Sequence, residues 1–123
     1  MSSVTFDSRR GKALYDGRTL AEWCPDVVSA IACAVNPVEI ILFGSVARGD
    51  DGPDSDVDLL VVLDSAAPAT KLERAVTARA SAGAPVPVDL FVTDMTELAE
   101  RGDLPGLLRV AIREGRRVYA RAS

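Results

Sequence analysis

Three apolar segments of strand length divide the middle of the chain. They run from Val38 to Phe43, from Asp56 to Leu63 and from Val86 to Val92, and each is rich in β-branched residues or leucine. Turn-forming glycine, proline, asparagine or aspartate residues lie next to them. This composition predicts three strands. A fourth, shorter strand is predicted over Arg117 to Ala120.

Segments in which apolar residues recur at helical spacing lie before, between and after these strands. Thr19 and Glu22 have the spacing of a capping box, which predicts a short helical turn beginning near Leu20. Pro25 and Asp26 then suit the first turn of a second helix. This second helix is predicted to end at Asn36-Pro37, and another helix is predicted over Thr70 to Ala82. Asp94 and Glu97 have capping-box spacing for a short helix, and Asp103 can cap a last helix that ends at Gly115.

The order of these elements predicts a fold of the α/β (α+β) class, a small mixed β-sheet packed with helices. With 123 residues and 48% apolar content, the chain is expected to form one domain with its own core. Residues 1–18 are interpreted as a loose N-terminal arm and residues 19–123 as the domain. Asp16-Gly17 marks a turn within the arm.

Composition excludes several kinds of function. The apolar runs are too short to span a bilayer and no signal-peptide core is present, so a cytoplasmic protein with no membrane contact is expected. The net charge of −4 disfavours stable binding to nucleic acid. The chain contains no histidine, so any catalysis must use carboxylates, hydroxyls or cations. A homo-oligomer is compatible with the sequence.

The junction after the first strand has the features of an anion site. Gly44 and Ser45 lie where the strand ends and a short helical turn, Val46 to Arg48, is predicted to begin. Free backbone N–H groups and the Ser45 hydroxyl can face an anion there, and Gly44 lets a phosphate approach the backbone closely.

Carboxylates at the start of the next strand suggest a metal site. Asp56 and Asp58 are two residues apart, so their side chains leave the same face of the strand. Asp89 is the one carboxylate inside the third strand and has the opposite parity to its apolar residues. If the two strands are neighbours in suitable register, the three carboxylates meet. A set of oxygen ligands without histidine or thiolate indicates Mg²⁺, with Mn²⁺ as a substitute.

The segment from Phe43 to Gly49, followed by Asp56-x-Asp58 and the later Asp89, resembles the nucleotidyltransferase superfamily that shares the DNA polymerase β fold. The wording Phe-Gly-Ser-x-Ala-Arg-Gly is most similar to the minimal nucleotidyltransferases, which are often antitoxins encoded beside HEPN-domain toxins. Residues 1–18 contribute nothing to this resemblance.

The resemblance implies a two-metal transfer of a nucleotide from an NTP, with ATP as the expected donor. It implies that Asp56, Asp58 and Asp89 hold two Mg²⁺ ions and that Gly44 and Ser45 bind the triphosphate. Arg48 either adds charge at the phosphates or pairs with a neighbouring acid. The other acids of the intervening loop, Asp50, Asp51 and Asp54, are interpreted as solvent-exposed and without a catalytic role.

Three functions remain open at this level. In the first, the enzyme transfers AMP to a hydroxyl of a partner protein, expected to be a HEPN-type toxin, because little of the chain is left to build an acceptor-binding domain. In the second, an antitoxin neutralises its toxin by binding alone. In the third, the enzyme modifies a small molecule such as an antibiotic.

Overall fold

The computed structural model describes residues 4–64, 67–82, 85–100 and 106–122. In chain order the elements are β1 Val4–Asp7, β2 Lys12–Tyr15, α1 Leu20–Val35, β3 Glu39–Phe43, α2 Gly44–Arg48, β4 Val57–Leu63, α3 Pro68–Ala82, β5 Val88–Asp94, α4 Met95–Glu100, α5 Gly106–Glu114 and β6 Arg116–Ala120. The predicted cap at Asp103 lies outside the described residues.

Four strands form the central sheet in the order β5-β4-β3-β6. β3 is antiparallel to both β4 and β6, whereas β4 and β5 are parallel and joined through α3. The sheet is therefore mixed, as the order of elements predicted, and the fold class is confirmed.

The alternation of side chains along β4 divides the core into two layers. Val57, Leu59 and Val61 face α1 and α3, whereas Leu60 and Val62 pack with α4 and α5 on the opposite face. All five are fully buried. Asp58 has the parity of the second group, so its carboxylate leaves the sheet on the α4 and α5 side, at the end where β4 begins.

One prediction about α1 is wrong. The capping box is present, since Thr19 Oγ1 accepts from the Glu22 N–H and the Glu22 carboxylate accepts from the Thr19 N–H. However, Pro25 does not begin a second helix but lies inside one continuous helix of 16 residues. Proline removes one hydrogen bond there. The buried face of the helix continues on both sides of it, and this packing offsets the loss. Its residues are Leu20, Cys24, Val27, Val28, Ile31 and Val35.

The prediction of a loose N-terminal arm is also wrong for the described residues. β1 and β2 form an antiparallel hairpin in which Asp7 is paired with Lys12. Ala13 and Tyr15 of β2 are buried and belong to the same core cluster as the sheet. The predicted turn at Asp16-Gly17 is confirmed, with both residues at positive φ and a backbone bridge across it. The hairpin thus packs onto the domain.

Candidate active site

The sheet brings the three predicted aspartates together. Parallel pairing of β4 with β5 places Asp89 directly beside Asp58, and Asp56 lies just before β4 begins. One carboxylate oxygen from each of the three lies within 4.8 Å of the others. Asp56 and Asp58 are partly buried and Asp89 is exposed, so the cluster opens to solvent at the edge formed by β5.

The electrostatics of this cluster are unfavourable without a cation. Partial burial raises the pKa of Asp58 to about 6, and the negative charges of Asp89 and then Asp56 add to this rise, while Arg48 opposes it. A divalent cation between the carboxylates would remove the repulsion. Oxygen ligands on opposite sides of one Mg²⁺ are about 4 Å apart, since Mg–O distances are about 2.1 Å. Three carboxylate oxygens within 4.8 Å of one another could therefore hold a divalent cation such as Mg²⁺.

Gly44 is required where the site meets β3. Phe43 pairs with Asp58, so Gly44, the first residue of α2, lies next to that carboxylate. Its φ is +76°, and a Cβ placed on it would lie 2.1 Å from Asp58 Oδ2. A side chain is disfavoured here both by the positive φ and by the contact with Asp58. Ser45 follows Gly44 in α2 and is partly buried.

Substitution of Gly44 by alanine is expected to disturb the carboxylates and lower the melting temperature. The positive φ costs about 1 kcal/mol, and the contact with Asp58 adds to it. Gly17→Ala is the matched control, because Gly17 has φ +81° and nothing within 4 Å of an added Cβ. Thermal melting of both variants, with and without Mg²⁺, separates the two causes. An equal fall in melting temperature in the two variants would show that Asp58 moves to accommodate the methyl group.

Arg48 is placed at the rim of the site. Its side chain is exposed, and Nε donates to Asp50 Oδ2 at 3.2 Å. It also lowers the pKa of Asp58, though less than the other influences raise it. Of the two roles predicted for Arg48, pairing with a neighbouring acid is thus present in the structure, and its contact with phosphates remains a prediction.

The loop before Asp56 contains an ion pair that sequence reasoning missed. Asp50 and Asp54 are exposed as predicted, but Asp51 is buried, which corrects the third assignment. Lys12 of the hairpin donates to Asp51 Oδ1 at 2.8 Å, to the Asp51 carbonyl at 3.2 Å and to the Gly49 carbonyl at 2.8 Å. No sequence signal distinguishes Asp51 from its exposed neighbours, because its partner is 39 residues away.

Comparison with known proteins agrees with this geometry. Residues 22–119 match the nucleotidyltransferase domain family, and the chain belongs to that family. No curated protein matches the sequence. The fold is similar to the 1.40 Å crystal structure of a proposed nucleotidyltransferase from Sulfolobus solfataricus, with a TM-score of 0.58 and 23% identity over 83% of this chain and 81% of that one.

The family match supports a nucleotide-transfer activity, and NTP is the substrate that a nucleotidyltransferase domain implies. None of the described helices is long and apolar enough to cross a membrane.

Proposed function

We propose that this protein is a Mg²⁺-dependent nucleotidyltransferase that moves AMP from ATP onto a hydroxyl of a partner protein. The observation that carries the proposal is the convergence of three carboxylate oxygens within 4.8 Å beside Gly44 and Ser45. This set suits two-metal transfer to a hydroxyl and needs no histidine. Mn²⁺ is expected to substitute for Mg²⁺.

Each residue of the site has a proposed role. Asp56 and Asp58 would hold the metal ions, with Asp89 completing the set. When bound, the divalent cations supply positive charge that stabilises the attacking and leaving oxygens. The Ser45 hydroxyl and the backbone beside Gly44 bind the triphosphate, and Arg48 turns from Asp50 to the phosphates.

The reaction transfers the AMP group of ATP to the acceptor hydroxyl. The acceptor hydroxyl oxygen forms a bond to the α-phosphorus of ATP, and the bond from that phosphorus to the oxygen bridging to the β-phosphate breaks. Pyrophosphate leaves with the bonding electrons. The exposed Asp89 carboxylate accepts the hydroxyl proton, because it lies on the open side of the cluster, where an acceptor can approach.

The proposed acceptor is a tyrosine of a HEPN-type toxin, and the protein then acts as an antitoxin that inactivates the toxin covalently. Support for this finer assignment is the resemblance of residues 43–49 to minimal nucleotidyltransferases. An AMP group would place a bulky anion on the toxin and block RNA entry.

Binding of Mg²⁺ with ATP is expected to raise the melting temperature, because a ligand that binds only the folded state stabilises it. Asp56→Asn combined with Asp58→Asn should remove this rise while the protein stays folded. Differential scanning fluorimetry with ATP alone, Mg²⁺ alone and both together measures the effect. A full metal-dependent rise in the double variant would place the metal site elsewhere.

Transfer itself is tested with a HEPN-type partner, ATP labelled in the α-phosphate and Mg²⁺, followed by gel and intact mass. Label on the partner with wild type but not with the double variant is the expected result. A partner that is silenced equally by the double variant, without label, would identify an antitoxin that acts by binding. Label on an aminoglycoside in place of the partner would identify an antibiotic-modifying enzyme.

A further inference from the structure

β5 has a free edge within the part of the chain that the structure describes, since it pairs only with β4. The Val57 N–H donates to the Pro87 carbonyl at 2.9 Å, so Pro87 turns its backbone groups toward β4. Alternate residues of a parallel strand turn to opposite neighbours. Val88, Leu90 and Val92 therefore turn their N–H and C=O groups to the free edge, where a further strand can pair with them.

A cavity of about 400 Å³ lies along this edge, between the C-terminal half of α3 and β5. Asp89 is part of its lining, together with Arg79, Val88 and Phe91. Asp89 is also one of the three clustered carboxylates. The cavity thus follows the edge of β5 past Asp89, whose carboxylate leaves the strand beside Asp58 on the face opposite α3. A strand paired along this edge places alternate side chains on the face of that carboxylate.

Arg79 covers the middle of the free edge of β5. Its guanidinium donates to the Leu90 carbonyl at 3.2 Å, and the side chain is exposed. A charged side chain of this kind limits unwanted pairing at a strand edge. Among the described residues, this exposed guanidinium has one hydrogen-bond partner, the Leu90 carbonyl, so it can turn to an acidic side chain that approaches along β5 at the loss of a single hydrogen bond.

The side of α3 that carries Arg79 is apolar toward the N-terminus of the helix. Leu72 and Val76 are 65% and 58% exposed. Leu72 lies four residues before Val76, and Val76 lies three residues before Arg79, so all three share one side of the helix. Since Arg79 contacts β5, this apolar strip leads toward the cavity. A protein segment bound along this side of α3 could cover both apolar side chains.

We propose that the acceptor reaches Asp89 as an extended peptide segment of a partner protein, which pairs with the free edge of β5 and carries an acidic side chain that binds Arg79. This inference rests on the proposed function and specifies its acceptor. Main-chain hydrogen bonds to Val88 and Leu90 supply affinity, and the side-chain alternation of the bound strand supplies the register. The hydroxyl side chain lies opposite Asp89, and the flanking segment covers Leu72 and Val76.

The probe is an acetylated heptapeptide of alternating valine and threonine with a central tyrosine and one glutamate. Binding is measured by NMR titration of ¹⁵N-labelled protein, with and without Mg²⁺-ATP. Shifts confined to the amides of Val88, Leu90 and Val92 and their neighbours are expected. Methylation of the peptide nitrogens on one edge should weaken binding at least about tenfold, since each removes a main-chain donor.

Charge exchange tests the role of Arg79. Arg79→Glu is expected to weaken the glutamate peptide about tenfold, and a peptide with lysine in place of glutamate should recover that loss. Arg113→Glu makes the same charge change on α5 and is the matched control, for which unchanged binding is expected. Equal affinities of all peptides for wild type and both variants would overturn the inference.

The two proposals fail separately. If Mg²⁺-ATP raises the melting temperature but the peptide gives no shifts at β5, the edge does not bind the acceptor and the nucleotidyltransferase proposal stands. If the peptide binds at β5 while Mg²⁺-ATP has no effect in wild type, the edge is a peptide site and the proposed enzymatic function is wrong. Shifts elsewhere on the surface would also overturn the edge assignment.

Discussion

Asp58→Asn is expected to be more stable than wild type without metal and inactive in nucleotide transfer with metal. The activity loss should be at least on the order of 10³-fold, because the central carboxylate of the cluster no longer carries charge for a cation. The stability gain without metal comes from the removal of the same charge. Asparagine has nearly the same shape but no charge, so it removes the cost of partly burying the Asp58 carboxylate and, secondly, its repulsion by Asp89 and Asp56.

The pH dependence of this gain follows from the raised pKa of Asp58. With its pKa near 6 in the folded protein and 3.8 as its ordinary value, Asp58 binds its proton more tightly when folded. Folding stability therefore falls as pH rises from about 4 to about 6 and then stays at the lower level. The asparagine variant lacks this fall. Its advantage should be absent at pH 4 and reach roughly 1 kcal/mol at pH 8, after allowance for solvent screening of a partly exposed group.

Melting curves of both proteins in EDTA at pH 4 and pH 8 measure this difference, and added Mg²⁺ should reverse it in favour of wild type. Asp54→Asn is the matched control, since Asp54 is an exposed aspartate in the preceding turn. Parallel pH profiles for wild type and Asp58→Asn would show that neither burial nor the neighbouring carboxylates raise the pKa of Asp58 in the folded protein.

Lys12→Met is expected to destabilise the protein by about 3 kcal/mol. The Asp51 side chain is 3% exposed and the Lys12 side chain 20%, so removal of the ammonium leaves a buried carboxylate without its charged partner. For a chain of this size the melting temperature should fall by on the order of 10 °C. Two backbone carbonyls of the loop before Asp56, those of Gly49 and Asp51, lose a donor at the same time.

Two further variants test the cause. Arg10→Met removes a cation of the same hairpin whose side chain is 60% exposed, and should cost less than about 0.5 kcal/mol. The double variant Lys12→Met with Asp51→Leu should recover much of the loss, because no unpaired charge stays buried. If the single variant Lys12→Met has the same melting temperature as wild type, then Asp51 is solvated and the hairpin does not hold this loop.

The central strands and the candidate site were predictable because local patterns specify them. Alternation along β4 fixes the face from which Asp58 leaves, whatever the neighbouring strands are. The strand end at Phe43 is likewise local, whereas the need for glycine at position 44 also depends on the approach of Asp58 from the neighbouring strand. The position of Asp89 was predictable only conditionally, since its parity is local but its pairing with Asp58 depends on β5 lying parallel to β4.

Spacing along one segment is enough to specify the strands of the central sheet, the glycine and serine at the end of β3, and the faces of the aspartates. Three other features arise only when the chain is folded: α1 continues through Pro25, Lys12 binds the buried Asp51, and Arg79 covers the edge of β5. Each of these depends on packing or charge between distant segments. Such contacts have no fixed spacing, so no pattern in the sequence records them.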